Sequence, residues 1–117
     1  MRDDHWLANR LKFIWKSFQD VEKRNDIVIK FKGRWKNKFG HIKKLDKDTE
    51  IVINSLFKNL NIPEYIIDLT IAHELVHYMH GFNSPHKKLF RYPHKGNIVN
   101  KELKKRGFND LLKDERI

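Results

Sequence analysis

The longest apolar-rich stretch of the chain, from Ile62 to Met79, constrains the fold most strongly. Pro63 lies near its start and Gly81 just past its end, an arrangement typical of an α-helix. Asn61 is expected to cap this helix, and Glu64 to close a capping box. Charged and histidine side chains interrupt the stretch, which excludes a membrane span. We therefore expect a helix packed inside a soluble globular domain.

The residues before this helix change their apolar spacing. Residues 4–24 carry apolar side chains at steps of three and four, which predicts an amphipathic N-terminal helix. Residues 27–39 alternate with period two. This pattern predicts one half-buried strand, or two strands joined by a turn near residues 37–40.

Further strands are expected at residues 41–45 and 49–54, and a last helix from Gly96 to Gly107. The 117 residues are enough for a single domain, residues 1–117, and too few for two. The expected fold class is α+β, with a small, mostly antiparallel twisted sheet and three helices.

Composition limits the possible metal ligands, the cellular compartment and the binding partners. Cysteine is absent, which excludes thiolate metal ligands and fits a reducing cytoplasm. The first residues, Met1 to Trp6, are too polar for a signal peptide, so a cytoplasmic protein is expected. The formal net charge of +10 could attract nucleic acid, anionic lipid or acidic proteins. Solvation is the favoured explanation of the basic face at residues 30–38, so nucleic acid is not the favoured partner.

The segment from His73 to His77 has the pattern His-Glu-x-x-His. On a helix, His73 and His77 lie on the same face, so both imidazoles can reach one Zn²⁺. Glu74 is turned by about 100° from His73, which places it beside a zinc-bound water. It can deprotonate that water as general base and then protonate the leaving group. About 0.02 such patterns are expected by chance in this composition, so the pattern predicts a zinc hydrolase.

A catalytic zinc site needs a third protein ligand and an open position. Without cysteine, the downstream candidates are His80, His86, His94 and Glu102. His94 ranks first because the helix that follows it can hold it against the metal. Glu102 inside that helix and His86 in the loop rank next. His80 ranks last, because it lies only three residues past His77 on the same helix.

The chain resembles the minigluzincins, which are very small zinc peptidases similar to the catalytic domains of HtpX-like and CAAX-processing proteases. It also resembles the YgjP-like metallopeptidases. The resemblance covers about residues 27–107. It is carried by Gly33-Arg34-Trp35, Gly40-His41-Ile42, Ile53-Asn54, the run from Pro63 to Asp68, and His73-Glu74-Leu75-Val76-His77. It implies a minimal zincin fold, a zinc cofactor and metalloendopeptidase activity on peptides or proteins.

The chain departs from the YgjP-like pattern at one ligand. That pattern places its third histidine directly before Ser-Pro, where this chain has Asn83 before Ser84-Pro85. The match resumes at His94. The minigluzincin resemblance also implies a histidine, which supports His94 over Glu102.

The zincin resemblance also implies how a substrate binds. It places an edge strand at about residues 49–57, along which an extended peptide would pair by β-augmentation. An oxyanion donor besides zinc is needed in peptide hydrolysis. Tyr92, His80 and Arg91 are the candidates, and the sequence does not choose among them.

The C-terminal segment, residues 108–117, is too rich in apolar residues for a free tail. The minigluzincin resemblance implies latency through a terminal segment. We therefore expect a zymogen-like regulatory tail that docks on its own chain or on a second copy, forming a homo-oligomer. A plain C-terminal helix packing on the core is the alternative.

Two other functions remain open at this stage. A SprT-like protease recruited to nucleic acid would use the same metal pattern and the basic surface. A catalytically silent, metal-stabilised binding module would use the metal alone. Glu74 argues against the silent module, because a purely structural site needs no base.

Overall fold

The computed structural model describes residues 1–108, which fold into three α-helices and one three-stranded sheet. The expected α+β class, with N-terminal, central and C-terminal helices, is confirmed. The elements are α1 (Asp4–Trp15), β1 (Ile27–Phe31), β2 (Gly40–Leu45), β3 (Asp48–Ile53), α2 (Glu64–Met79) and α3 (Ile98–Lys105). Short 3₁₀ turns occupy Lys16–Phe18, Ser55–Lys58 and Lys95–Asn97.

The sheet has the strand order β1-β3-β2, so β3 is its central strand. It pairs in parallel with β1 and antiparallel with β2. The sheet is therefore mixed, where the sequence predicted mostly antiparallel pairing. The expected edge strand at residues 49–57 is wrong, because β3 is paired on both sides. Within residues 1–108, β1 and β2 are the edge strands.

Helix α2 lies at the centre of the molecule, where it contacts α1, α3, β2 and β3. Ile67, Ile71 and Leu75 are completely buried on it. A helix with apolar residues on nearly all sides needs partners all round, and burial of each such side chain contributes about 1.5–3 kcal/mol. Ile51 supplies the facing sheet layer, in register with Ile29 on β1 and Ile42 on β2. This packing fixes α2 rigidly against β2.

Helix α1 is shorter than the predicted residues 4–24. It ends at Trp15 and tightens into a 3₁₀ turn. The Ser17 carbonyl accepts a hydrogen bond from Arg106, and the Val21 amide donates to Phe18 instead. Arg106 thus binds the carbonyl that Val21 would use if the α-helix continued.

The predicted strand at residues 27–39 stops at Phe31. Gly33 has a φ of +77°, and the ring of Trp35 lies so close that a β-carbon at Gly33 would be 2.3 Å from it. The period-two pattern beyond Phe31 therefore lies in a loop. The buried side-chain amide of Asn54 ties this loop down by donating to the carbonyls of Trp35 and Lys38.

The ends of α2 are set by local chemistry. Pro63 precedes its first residue, and no side chain caps it, so the expected Asn61 cap is wrong. At the other end Gly81 has a φ of +79° and donates to the Tyr78 carbonyl, while Phe82 donates to that of His77. These two bonds form a Schellman motif. Across residues 1–108, no helix has both the length and the apolar character needed to cross a membrane.

Candidate metal centre

Three histidines converge at one side of α2. His73 and His77 are one helical turn apart, and their Nε2 atoms are separated by 3.1 Å. His94 comes from the segment just before α3, and its ring centroid lies 5.4 Å from that of His73 and 4.6 Å from that of His77. One ring nitrogen from each residue lies within 4.8 Å of the others. The three side chains are therefore close enough to bind one metal ion.

The nitrogens of His73 and His77 suit a shared metal. Two nitrogens each about 2.0–2.1 Å from a tetrahedral zinc are separated by about 3.3 Å. The observed 3.1 Å is close to this value. The α-helix thus presents two donors at nearly the required separation before any metal arrives.

Both of these histidines are neutral at pH 7. Burial, followed by the neighbouring His94, lowers the pKa of His73 to about 4. Burial, followed by the nearby histidines, lowers the pKa of His77 to about 3. A neutral imidazole keeps the lone pair that a metal requires. The site is therefore prepared for metal binding at physiological pH.

Glu74 lies next to His73 in the chain and is 5% exposed. It lines the same cleft as the three histidines. Burial raises its pKa to about 8, and the positive charge of Lys38 acts in the opposite direction. A cation held by the histidines would favour the carboxylate form of Glu74, because opposite charges attract across a poorly solvated site. Glu74 is thus placed to exchange a proton near neutral pH.

The site opens into a cleft of about 830 Å³. Its three sides come from α2, from the edge strand β2 with the residues before it, and from α3 with the chain between α2 and α3. Polar side chains that line it, besides the three histidines and Glu74, are Asn37, Lys38, His41, Lys43, Thr70, Asn83 and Asn100. The cleft is large enough for a peptide segment to reach the histidines.

The other predicted ligands lie elsewhere. The ring Nε2 of His86 is 2.6 Å from the Glu22 carbonyl. His80 is buried against the ring of Phe90, at 4.8 Å between centroids. Glu102 accepts a 2.9 Å hydrogen bond from Arg106. The structure thus groups His94, and none of these three, with His73 and His77.

Asn83 stands where the YgjP-like pattern has a histidine, and it has a different role here. Its φ is +52°, and its side chain donates to the Ile42 carbonyl at 3.1 Å. It therefore joins the loop after α2 to the edge strand β2. The YgjP-like pattern pointed to the position of Asn83, but no sequence signal pointed to Asn100 or Lys38 as cleft residues, because both are positioned by contacts between distant segments.

The expected oxyanion donors are not part of the cleft. Tyr92, His80 and Arg91 are absent from the described residues that line it. Asn83, Asn100 and His41 line it and carry N–H groups.

No known protein family, curated protein or solved structure matches this chain.

Proposed function

We propose that this chain is a zinc-dependent metallopeptidase of the minigluzincin type. The observation that carries the proposal is the convergence of His73, His77 and His94 beside the buried Glu74, at an open cleft. A purely structural metal site would need neither the carboxylate nor the opening. Three imidazoles with no thiolate suit catalytic zinc, which keeps a fourth position free.

The three histidines and Glu74 have different roles in peptide hydrolysis. Zinc, when bound by the three histidines, supplies a Lewis acid that polarises the peptide carbonyl and acidifies water. Glu74 takes the proton of the attacking water and passes it to the leaving nitrogen. Its buried position keeps competing bulk water away, and a cation held by the histidines would lower its pKa from the metal-free value of about 8, which favours the carboxylate that takes the first proton.

The edge strand β2 provides the substrate-binding surface of this proposal. Backbone groups alternate between the two edges of a strand. Phe39 accepts from the amide of Asn54, so the groups of Gly40, Ile42 and Lys44 point away from β3. The carbonyl of Ile42 already accepts from Asn83, so a substrate would pair with the other outward groups of this edge. An extended peptide would pair with this edge by β-augmentation and pass the histidines.

The regulatory tail remains a proposal. Phe108 is buried and packs against Phe18, with ring centroids 6.3 Å apart. The first residue of the predicted segment is thus part of the core. Residues 109–117, which would carry latency or contact a second copy, lie outside the described residues. We keep the proposal of a tail-inhibited enzyme.

The cellular compartment is a separate part of the proposal. The absence of cysteine supports a reducing compartment such as the cytoplasm.

The test compares Glu74→Gln with Glu64→Gln, an exposed control on the same helix. We expect purified protein to bind one zinc per chain and to hydrolyse a labelled unfolded protein. Glu74→Gln should keep the metal and lose activity by about 10³-fold or more, whereas Glu64→Gln should match the wild type. Failure to load zinc, or equal activity in Glu74→Gln, would refute the proposal. A zinc-loaded protein with no activity after tail removal would favour the silent binding module.

A further inference from the structure

The positive charge of the chain is concentrated in two segments. Residues 27–45 contain seven Lys and Arg, residues 75–101 contain five, and neither segment contains Asp or Glu. The remaining residues hold 13 of the 25 Lys and Arg and all 15 Asp and Glu, so their net charge is −2. The basic residues of the two segments are therefore separated along the chain from the carboxylates.

These two segments are the ones that flank the cleft. The first supplies β2 and the loop before it, and the second supplies His94 with the chain around it. Among the described residues that line the cleft, Glu74 is the only carboxylate, and it lies at 5% exposure. Fields from like charges add inside a cleft, so an anionic ligand is attracted to it.

Two lysines, Lys38 and Lys43, line the cleft on the β2 side. Lys43 shares the buried Glu50 with Lys30, at 3.3 and 2.9 Å, so its charge is partly balanced. Lys38 makes no ion pair within residues 1–108, and its ammonium lies 4.8 Å from the ring centroid of Trp35. Lys38 is therefore the main cation available to a ligand on this wall.

We infer that the cleft takes extended polypeptide segments rich in Asp and Glu. This inference rests on the proposed peptidase function and deepens it by naming the substrate class. The outward backbone edge of β2 fits a polypeptide, whose own backbone can continue the sheet. Nucleic acid fits less well, because its sugar-phosphate backbone cannot continue a β-sheet along this edge.

The test measures binding separately from cleavage. Three fluorescein-labelled ten-residue peptides, identical except for four Glu, four Gln or four Lys, are titrated into zinc-loaded Glu74→Gln protein. We expect the Glu peptide to bind about tenfold tighter than the Gln peptide at low salt, and the preference to shrink at high salt. Adding Lys38→Gln should reduce the preference about threefold to fivefold. Lys104→Gln, an exposed α3 residue outside the cleft, should leave it unchanged.

The outcomes separate this inference from the proposed function. Equal affinity for the three peptides, or tightest binding of the Lys peptide, overturns the inference. Cleavage of all three by the wild type at equal kcat/KM also overturns it and leaves the peptidase intact. Preference for the Glu peptide without cleavage by the wild type or by a chain ending at Phe108 supports the inference and refutes the peptidase. A single-stranded oligo-dT that displaces the Glu peptide at lower concentration overturns it in favour of nucleic acid.

Discussion

Glu74 makes the stability of the metal-free protein depend on pH, and the substitution Glu74→Gln removes this contribution. Its folded pKa of about 8 lies above its ordinary value of 4.5, because burial disfavours the charge. Its contribution to stability is therefore fully present below pH 4.5 and is lost as the pH rises to about 8. Each pH unit in this window costs about 1.4 kcal/mol, which gives about 5 kcal/mol in total. Glu74→Gln cannot ionise, so it should lose none of this.

His73 and His77 act in the opposite direction. Their folded pKa values, about 4 and about 3, lie below the ordinary 6.5. Their contribution is present above pH 6.5 and is lost as the pH falls. Metal-free wild type should therefore be most stable near pH 6.5. The histidine effect is common to wild type and Glu74→Gln, and it cancels when the two are compared.

Urea unfolding with a chelator, followed by circular dichroism at pH 5, 6, 7 and 8, measures the comparison. The advantage of Glu74→Gln over wild type should grow by about 4 kcal/mol between pH 5 and pH 8. Glu64→Gln should follow the wild type at every pH. Saturating zinc should remove most of the difference, because the cation lowers the pKa of Glu74. Parallel stability curves for wild type and Glu74→Gln would refute the assignment of a buried, protonated Glu74.

Three further predictions test other parts of the structure. His94→Ala should weaken zinc affinity by about 100-fold or more in a competition titration, whereas His86→Ala should change it by less than about threefold. The reverse order would contradict the grouping of His94 with His73 and His77. Asn54→Ala removes three hydrogen bonds of a buried amide and should lower the free energy of unfolding by about 2–3 kcal/mol. A change below about 0.5 kcal/mol would mean that the amide does not hold the cleft loop. A chain ending at Phe108 should keep its melting temperature and gain about tenfold in peptidase activity, and unchanged activity at all concentrations would end the latency proposal.

Helix α2 and the metal pair were predictable because their signals are local. The apolar run, Pro63 and Gly81 all act on neighbouring backbone, and the spacing of His73 and His77 sets their common face. His94 was predictable as the favoured third member, since a helix start can hold a residue in place.

The sheet order and the cleft walls were not predictable, because they depend on distant contacts. Period-two spacing at residues 32–39 is typical of a strand, yet Gly33 and the bonds from Asn54 hold those residues in a loop. The turn after α1 is bound by Arg106, which donates to the carbonyl of Ser17, 89 residues away in the chain. Nothing within the first 24 residues encodes that partner.

The positions of the three histidines in the chain also affect the rates at which a metal ion would bind and leave. His73 and His77 are fixed on one helix, whereas His94 follows a segment, residues 82–93, with no regular helix or strand. An ion that first binds the helical pair completes its site by a local movement of His94, whose ring already lies beside both others. Uptake should therefore begin as a concentration-dependent encounter with the helical pair and finish with a slower, concentration-independent closure. Release reverses this order, so the opening rate of one loop sets the residence time of the ion.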